Sequence, residues 1–302
     1  MDSAELNSGQ DIVNFKLSAE SADASTKPIL RIREMLRTVT KNLDSRFIAG
    51  EPIERIVRDR AKLIDQLLGF LWAGQDWPNQ NIALLAVGGF GRSELFPYSD
   101  IDLLILTKTD DNEHLKPAIS NFITALWDVG LEVRQSVRSL SQCSEESRND
   151  ITVATSLMES RTLAGSKFLQ HELADLIETE KVWPVKEFFH AKVHEQENRH
   201  QKYDDADYAL QPNVKTSPGG LRDIQTISWI AMRQFRASTF DDFVNLNLLN
   251  DAEDRMIREG RSFLWRIRYG LHLIEGRGND RLTFDKQREL AKIFGYKDDS
   301  LT

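Results

Sequence analysis

Two aspartates, Asp100 and Asp102, are the residues whose spacing first suggests chemistry in this sequence. They open an apolar run that ends at Leu106 and is typical of a buried strand. Side chains two residues apart on a strand point to the same side, with α-carbons about 7 Å apart. Two carboxylates at this distance repel each other unless a cation lies between them. Their oxygens are ligands that Mg²⁺ and Mn²⁺ favour. The spacing therefore suggests a metal site that bridges the phosphates of a substrate.

A glycine pair, Gly88-Gly89, ends the aliphatic run that precedes the aspartates. Glycines allow a backbone to approach phosphate oxygens closely, and the guanidinium of Arg92 suits a phosphate. We expect the next segment, "GRSELF", to form a short helix with N–H groups facing an anion, stopped by Pro97 before Ser99 turns the chain into the carboxylate strand. Taken singly, these patterns also fit a tight loop or a capped turn. Together, on consecutive strands, they predict a phosphate site.

The elements that must position these residues follow from hydrophobic periodicity. The pattern predicts two helices between Lys27 and Phe70 and another from Leu115 to Trp127, capped by Gly130. Short aliphatic or alternating runs predict three strands, which are Ile82–Val87, Ile101–Leu106 and Leu131–Val137. Beyond about Ser141 helical patterns take over, namely Ile151–Glu159, Phe168–Ile177, Val185–Tyr203, Leu221–Phe235, Asp251–Ile274 and Phe284–Phe294. We therefore predict a flexible leader at residues 1–27, a catalytic domain with N-terminal helices at 28–140 and a helical domain at 141–302.

Composition narrows the class of protein. The 302 residues are 40% hydrophobic, enough for two domain cores. A formal net charge of −8 has the wrong sign for a protein that mainly holds a nucleic-acid backbone. The single cysteine, Cys143, cannot form an internal disulfide, and no apolar run approaches the length of a membrane span. We expect a cytoplasmic protein that binds neither nucleic acid nor membrane.

The motifs resemble a known family. The string "GGFGRSELFPYSDIDLLIL" is similar to the signature of the nucleotidyltransferase superfamily with the DNA polymerase β-like catalytic fold. It resembles more closely the bacterial bifunctional uridylyltransferase/uridylyl-removing enzymes of the PII nitrogen-signalling system. The likeness continues through "LWDVGLEVRQSVRS", "KVHEQENRHQKY" and "SPGGLRDIQT". It implies an α+β fold, in which a small mixed-sheet polymerase β-like nucleotidyltransferase domain precedes an α-helical bundle domain.

The resemblance also implies roles for individual residues. Asp100 and Asp102 match the metal-binding pair, and Glu132, on the polar face of its strand, is the expected third carboxylate or the base that accepts a proton. The residues expected to bind the nucleotide are Gly88, Gly89, Arg92, Ser99, Lys215 and Arg222. For "KTSPGGLRD", the alternative is an ordinary helix entry with Arg222 paired to a local carboxylate.

The reaction that the resemblance implies is transfer of UMP from UTP to a tyrosine hydroxyl of a PII protein. Pyrophosphate leaves, and Mg²⁺ (or Mn²⁺) is the expected cofactor. The family also carries a phosphohydrolase region with His-Asp ligands and glutamine-sensing domains; because this sequence has no His-Asp dipeptide, we expect both regions to be absent from it. Two alternatives stay open: adenylyl transfer to a protein, since nothing in the metal motif reads the base, and a nucleotide-sensing module without turnover.

Two weaker patterns lie in the helical half. His190 and His194 have the spacing of a metal clamp, but no third ligand of suitable spacing is evident, so a solvated helix face is expected. In "FLWRIRYGLHLI" the apolar stripe predicts core packing, with Arg266 or Arg268 free to face a cleft.

Overall fold

The computed structural model describes residues 27–78, 81–178, 181–203 and 210–297. A four-stranded mixed sheet forms its centre, with strand order β3-β2-β1-β4. The strands are β1 (Ile82–Ala86), β2 (Ile101–Thr107), β3 (Val133–Ser139) and β4 (Arg161–Gly165). Strand β1 is antiparallel to β2 and to β4, whereas β2 and β3 are parallel. The three strands expected from the sequence are confirmed, and β4 is an addition to them.

Both faces of the sheet are covered, which explains why β1 and β2 are apolar at nearly every position. Alternate side chains of the two strands point to opposite faces. One face packs on α2 (Ile53–Ala73) and α4 (Lys116–Asp128), through Ile82, Leu84, Ala86, Leu103 and Ile105. The other face packs on α5 (Leu140–Asn149), α6 (Ile151–Met158) and α7 (Lys167–Glu178), through Ala83, Leu85, Leu104 and Leu106.

Twelve α-helices surround this sheet within the described ranges. Those of the first half are α1 (Lys27–Ile48), α2 (Ile53–Ala73), α3 (Gly88–Gly91), α4 (Lys116–Asp128), α5 (Leu140–Asn149), α6 (Ile151–Met158) and α7 (Lys167–Glu178). Those of the second half are α8 (Val185–Gln201), α9 (Leu221–Phe235), α10 (Phe240–Asn245), α11 (Asp251–Glu275) and α12 (Phe284–Ile293). A single 3₁₀ turn, Glu113–Leu115, precedes α4. The mixed sheet followed by a helical region confirms the predicted fold class.

The sheet does not end where the sequence suggested. Strand β4 lies beyond residue 141, in the part expected to be purely helical, and pairs with β1. Its segment, "RTLAG", is five residues long and only partly buried, so it carries neither an aliphatic run nor a clear alternation. The predicted leader 1–27 lies outside the described residues except for Lys27, which begins α1.

The early helices and the late helices share one apolar core. Its members come from α1, α2, α9, α11 and the segment before β2, and they are Leu43, Phe47, Ile53, Ile56, Val57, Phe96, Leu221, Trp265 and Tyr269. Tyr269 is fully buried, and its hydroxyl donates a hydrogen bond to Asp44 at 2.7 Å. The helical half is therefore packed directly against the helices that precede the sheet.

No helix in the described part of the chain is both long enough and apolar enough to cross a membrane. His190 and His194 are exposed on α8, as expected for a solvated helix face.

The close approach of β4 to β1 can be tested at Gly165. Gly165 and Gly50 both adopt left-handed φ angles, +80° and +83°, but only at Gly165 would an added Cβ meet backbone, 2.5 Å from the Ile82 carbonyl oxygen. We expect Gly165→Ala to lower the free energy of unfolding by about 3–5 kcal/mol and Gly50→Ala by about 1 kcal/mol. Urea denaturation of the two variants and the parent chain measures the difference. Equal losses would contradict the close strand pairing.

Candidate active site

A cleft of about 480 Å³ lies where the sheet meets the helical half. It is lined by eight of the nine residues singled out from the sequence, namely Gly88, Gly89, Arg92, Ser99, Asp100, Asp102, Lys215 and Arg222. Glu132 is the exception. The lining is mostly polar and charged, which suits a nucleotide better than an apolar ligand.

The glycine turn forms one wall of the cleft. Gly88 has a φ of +56°, and a Cβ at this position would lie 3.5 Å from Ser156 Oγ and 3.6 Å from Asp102 Oδ2. Gly91 packs against the carbonyl of Glu159, since a Cβ there would be 2.1 Å from that oxygen. The absence of side chains thus brings the turn close to the carboxylates and to the end of α6.

The expected helix in "GRSELF" is not where the sequence placed it. The helical turn α3 covers Gly88–Gly91, and the chain leaves it at Arg92. Ser93 then takes a left-handed φ of 59°, which a continuing helix does not allow. The segment that leads to the aspartates is therefore a turn, and the prediction of a helix N-terminus in it was wrong.

Asp100 and Asp102 lie at the start of β2, as predicted. Asp100 is exposed and pairs with Arg134 (Oδ2 to Nη2, 3.1 Å), whereas Asp102 is partly buried. Burial, together with the charge of Asp100, raises the pKa of Asp102 above the ordinary aspartate value. A nearby cation would relieve both effects.

This pair of carboxylates fits a divalent cation such as Mg²⁺. Mg²⁺ typically takes only one or two protein carboxylates and completes its coordination with water and substrate phosphates. A Cβ at Gly88 would lie 3.6 Å from Asp102 Oδ2, so the glycine keeps the space beside this carboxylate free of a side chain. The two aspartates could therefore supply the protein's share of a metal site of this kind.

The structure leaves Glu132 out of the lining of the cleft. Glu132 is exposed, immediately precedes β3, and its carbonyl accepts the N–H of Ile101. The parallel register pairs Ile101 with Val133 and Asp102 with Arg134, so Glu132 immediately precedes β3 as Asp100 immediately precedes β2. Among the described residues no group of three or more His, Cys, Asp or Glu side chains is arranged to hold a metal ion. Glu132 was expected from the resemblance and from the polar face of its strand, and its role stays a prediction.

Arg92 is held by two carboxylates. Its Nη1 contacts Glu159 Oε1 at 2.6 Å, and its Nη2 contacts Glu94 Oε2 at 2.9 Å. Burial disfavours the charged guanidinium, but the charges of Glu94 and Glu159 outweigh this effect and raise the pKa of Arg92. Glu159 also accepts a hydrogen bond from the indole N–H of Trp229. Arg92 thus links the glycine turn to the helical half, and its Nε is buried without a hydrogen-bond partner in the described structure.

The opposite wall carries cations from the helical half. Lys215 and Arg222 are held side by side because the N–H of Arg222 donates to the carbonyl of Lys215 at 2.8 Å. Asn213 Oδ1 accepts the N–H of Lys215 at 3.0 Å and so fixes the start of the loop. The loop is tight, since a Cβ at Gly220 would lie 2.8 Å from the Ser217 carbonyl oxygen.

These cations are crowded. Burial, followed by the charges of Arg268 and Arg222, lowers the pKa of Lys215 to about 8. Burial and the charge of Arg92 likewise lower the pKa of Arg222, whose guanidinium lies 5.1 Å from the centre of the Trp229 ring. A cluster of buried positive charges with depressed pKa values is stabilised by an anion. The alternative for Arg222, pairing with a local carboxylate, is not observed among the described residues.

Sequence reasoning missed several residues of the cleft. Lys192 lies on α8 between His190 and His194 and was not singled out from the sequence, but it is buried and lies 4.2 Å from the centre of the Trp229 ring. Of the two arginines left open, Arg268 lines the cleft and pairs with Asp280, whereas Arg266 stacks on Phe294. The positions of Lys192 and Arg268 depend on tertiary contacts, which cannot be predicted from helical periodicity.

The depressed pKa of Lys215 makes anion binding depend on pH. We expect the affinity for sulfate, whose charge stays constant, to fall several-fold between about pH 7 and about pH 9, because Lys215 loses its proton near pH 8. Lys215→Met should bind sulfate more weakly at pH 7 and show a flatter dependence on pH. Isothermal titration calorimetry across this range provides the measurement, with Lys62→Met, exposed on α2, as the matched control. An unchanged pH dependence in Lys215→Met would contradict the assignment.

Comparisons with known proteins agree with this geometry. The family model described as a nucleotidyltransferase domain matches residues 73–164. The model described as GlnD PII-uridylyltransferase matches residues 187–302. The two matches fall on the sheet with its glycine turn and on the helical half.

Curated relatives carry the same name in several bacteria. The bifunctional uridylyltransferase/uridylyl-removing enzyme of Pseudomonas aeruginosa (strain PAO1) is 49% identical over 277 residues, which cover 91% of this chain and 31% of the relative. That of Stutzerimonas stutzeri is 49% identical over 287 residues, 94% of this chain and 32% of the relative. That of Azotobacter vinelandii is 48% identical over 274 residues, 90% of this chain and 30% of the relative. The chain spans about a third of the length of these relatives. It belongs to the family of the bifunctional uridylyltransferase/uridylyl-removing enzymes and corresponds to the part of them that contains the nucleotidyltransferase domain.

Proposed function

We propose that this chain transfers UMP from UTP to a tyrosine hydroxyl of a PII protein and releases pyrophosphate. The observation that carries the proposal is one cleft in which Asp100 and Asp102 of the sheet lie with Lys215 and Arg222 of the helical half. Paired carboxylates for a metal, combined with cations for phosphates, are what nucleotidyl transfer requires. The relatives are named uridylyltransferases and the matching family model names PII, which supports UTP and PII as the substrates.

Each side of the cleft has its own task in this reaction. The tyrosyl oxygen attacks the α-phosphorus of UTP, the bond from that phosphorus to the bridging oxygen breaks, and the phenolic proton passes to solvent or a base. Lys215, Arg222 and Arg268 offset the negative charge of the triphosphate and of the departing pyrophosphate. Ser99 lines the cleft with a buried hydroxyl that has no hydrogen-bond partner within the described residues, so we assign it a contact to the nucleotide.

Asp100 and Asp102 are the residues that would hold Mg²⁺ (or Mn²⁺) here. The bound ion supplies charge neutralisation at the phosphates and favours the ionised form of the incoming phenol. The proposal limits the protein's metal ligands to these two carboxylates, and a role for Glu132 stays a prediction from the sequence. Arg92 is assigned to holding the glycine turn in place, because both of its terminal nitrogens already contact carboxylates.

The test is intact-mass analysis of a purified PII protein after incubation with this chain, Mg²⁺ or Mn²⁺, and either UTP or ATP. We expect a mass gain of one UMP with UTP and no gain with ATP. The Asp100→Asn/Asp102→Asn double variant should lose at least about a thousandfold in rate, because it removes the metal ligands. Asp128→Asn, an exposed carboxylate at the end of α4, is the matched control and should keep full activity.

Each other outcome excludes the proposal in a specific way. A gain of AMP with ATP would identify adenylyl transfer by the same site. A folded chain that binds UTP but modifies PII with neither nucleotide would support the sensing alternative. Full activity in the double variant would remove the metal role of the two aspartates.

A further inference from the structure

A second cavity, of about 500 Å³, lies behind the cleft. Four residues line both spaces and form the wall between them, namely Arg92, Glu94, Glu159 and Gln225. We call these four residues the shared wall. On its far side the cavity is bordered by α9, α10 and α11, and neither Asp100 nor Asp102 lines it. No step of the proposed reaction uses this second cavity.

Arg261, on α11, is the unusual residue of this cavity. Its guanidinium lies between two aromatic rings, with Cζ 4.9 Å from the centroid of Phe240 and 4.9 Å from that of Trp265. Its Nε is buried without a partner, and within the described ranges Arg261 forms neither a hydrogen bond nor an ion pair. Burial lowers its pKa, which means that the charge is poorly compensated where it stands. Aromatic faces stabilise a guanidinium but leave its edge free to donate.

The other charges in the cavity do not satisfy Arg261. Its lining contains four arginines (Arg58, Arg92, Arg258 and Arg261) against three carboxylates (Glu94, Glu159 and Asp241). Glu94 and Glu159 are engaged with Arg92, and Asp241 contacts Arg258 at 2.6 Å. Arg58 is exposed at the edge of the cavity and has no ion pair in the described structure. Arg258 is also held by Asp254 at 2.7 Å, and the charges of Glu94 and Glu54 act on Arg261 without contacting it. The two guanidinium groups of the lining without an ion pair are therefore Arg58 and Arg261.

Apart from the amide of Gln225, the uncharged lining is apolar or carries hydroxyl groups. Its apolar side chains are Met158, Leu221, Ile224, Met232, Phe240, Phe243 and Trp265. A space of this size, with apolar walls and a few convergent polar groups, is typical of a small-molecule site. A forked anion such as a carboxylate or phosphate matches the donors of an arginine.

We propose that this cavity is a second ligand site, which takes a small anion carrying a flat apolar group. The anionic head accepts hydrogen bonds from Arg261 and Arg58, and the flat group packs among the apolar side chains. The site is separate from the metal cleft, and the proposal does not depend on the reaction proposed above. Because the shared wall belongs to both spaces, an occupant of one lies against residues that also line the other.

The experiment is isothermal titration calorimetry of the full chain with four small probes. Benzoate and phenyl phosphate carry a ring and an anion, inorganic phosphate carries the anion alone, and benzamide is the neutral counterpart of benzoate. We expect one benzoate or phenyl phosphate per chain in this cavity, in addition to any anion held by Lys215 in the cleft, and weaker binding of inorganic phosphate and of benzamide to the cavity. Which of the two aromatic anions binds more tightly identifies the head group as carboxylate or phosphate.

Substitutions locate the binding. Arg261→Met should weaken the aromatic anion at least about tenfold, since it removes charge-assisted hydrogen bonds. Arg266→Met is the matched control, because Arg266 lies on the same helix and also stacks on an aromatic ring, that of Phe294, outside the cavity. Lys215→Met removes a cation of the cleft only and should leave the affinity unchanged.

The proposal is overturned if neither aromatic anion binds, if benzamide binds as tightly as benzoate, or if Lys215→Met weakens binding as much as Arg261→Met. Thermal unfolding of each variant monitors folding. Should Arg261→Met fail to fold, Arg58→Met replaces it, because Arg58 is exposed and its loss leaves the core intact. A several-fold weaker affinity is expected for that variant, and an unchanged affinity would also overturn the proposal.

Discussion

The contact between Arg92 and Glu159 is the interaction on which the arrangement of the site depends. Arg92 follows the glycine turn and Glu159 follows α6, so this ion pair, 2.6 Å long, joins two segments on the sheet side of the cleft. Through the hydrogen bond from Trp229, the same carboxylate also connects to α9. A buried ion pair with all its partners is tolerable, whereas the loss of one partner leaves an uncompensated charge that typically costs 3–5 kcal/mol. The position of the turn relative to the cationic helices is thus fixed by one carboxylate with two obligatory partners.

Much of this arrangement could be predicted from the sequence. Asp100, Asp102 and the glycines were identified because strand alternation and the lack of a Cβ are local properties. The long helices followed from apolar periodicity, which tertiary contacts did not override. Two short helices, α5 and α10, were missed although each begins with a capping box, at Ser139 and at Thr239. A search for these capping signals would have found them.

The remaining features are not local properties of the chain. Strand β4 depends on pairing with β1 across a register shift between Leu84 and Leu85, which no pattern within "RTLAG" encodes. The residue opposite Asp102 on β3, Arg134, is decided by the register between β2 and β3, which the polar face of the strand does not give. Lys192 belongs to the cleft only because α8 packs against α9. Strand register and helix packing are therefore the two features that could not be predicted from the sequence.

The core shared by the early and late helices gives the cleft its width. The carboxylates stand on the sheet that α2 covers, and the arginine-bearing helices α9 and α11 pack on α1 and α2 through Leu221, Trp265 and Tyr269. Besides the contacts of Glu159, the volumes of the apolar side chains behind the two walls set the gap between them. Proteins packed at crystal-like density transmit such volume changes as displacements. A methylene group added or removed in this core would therefore change the distance between the aspartates and the cations, although the core does not contact the substrate. The core thus acts as the spacer of the site.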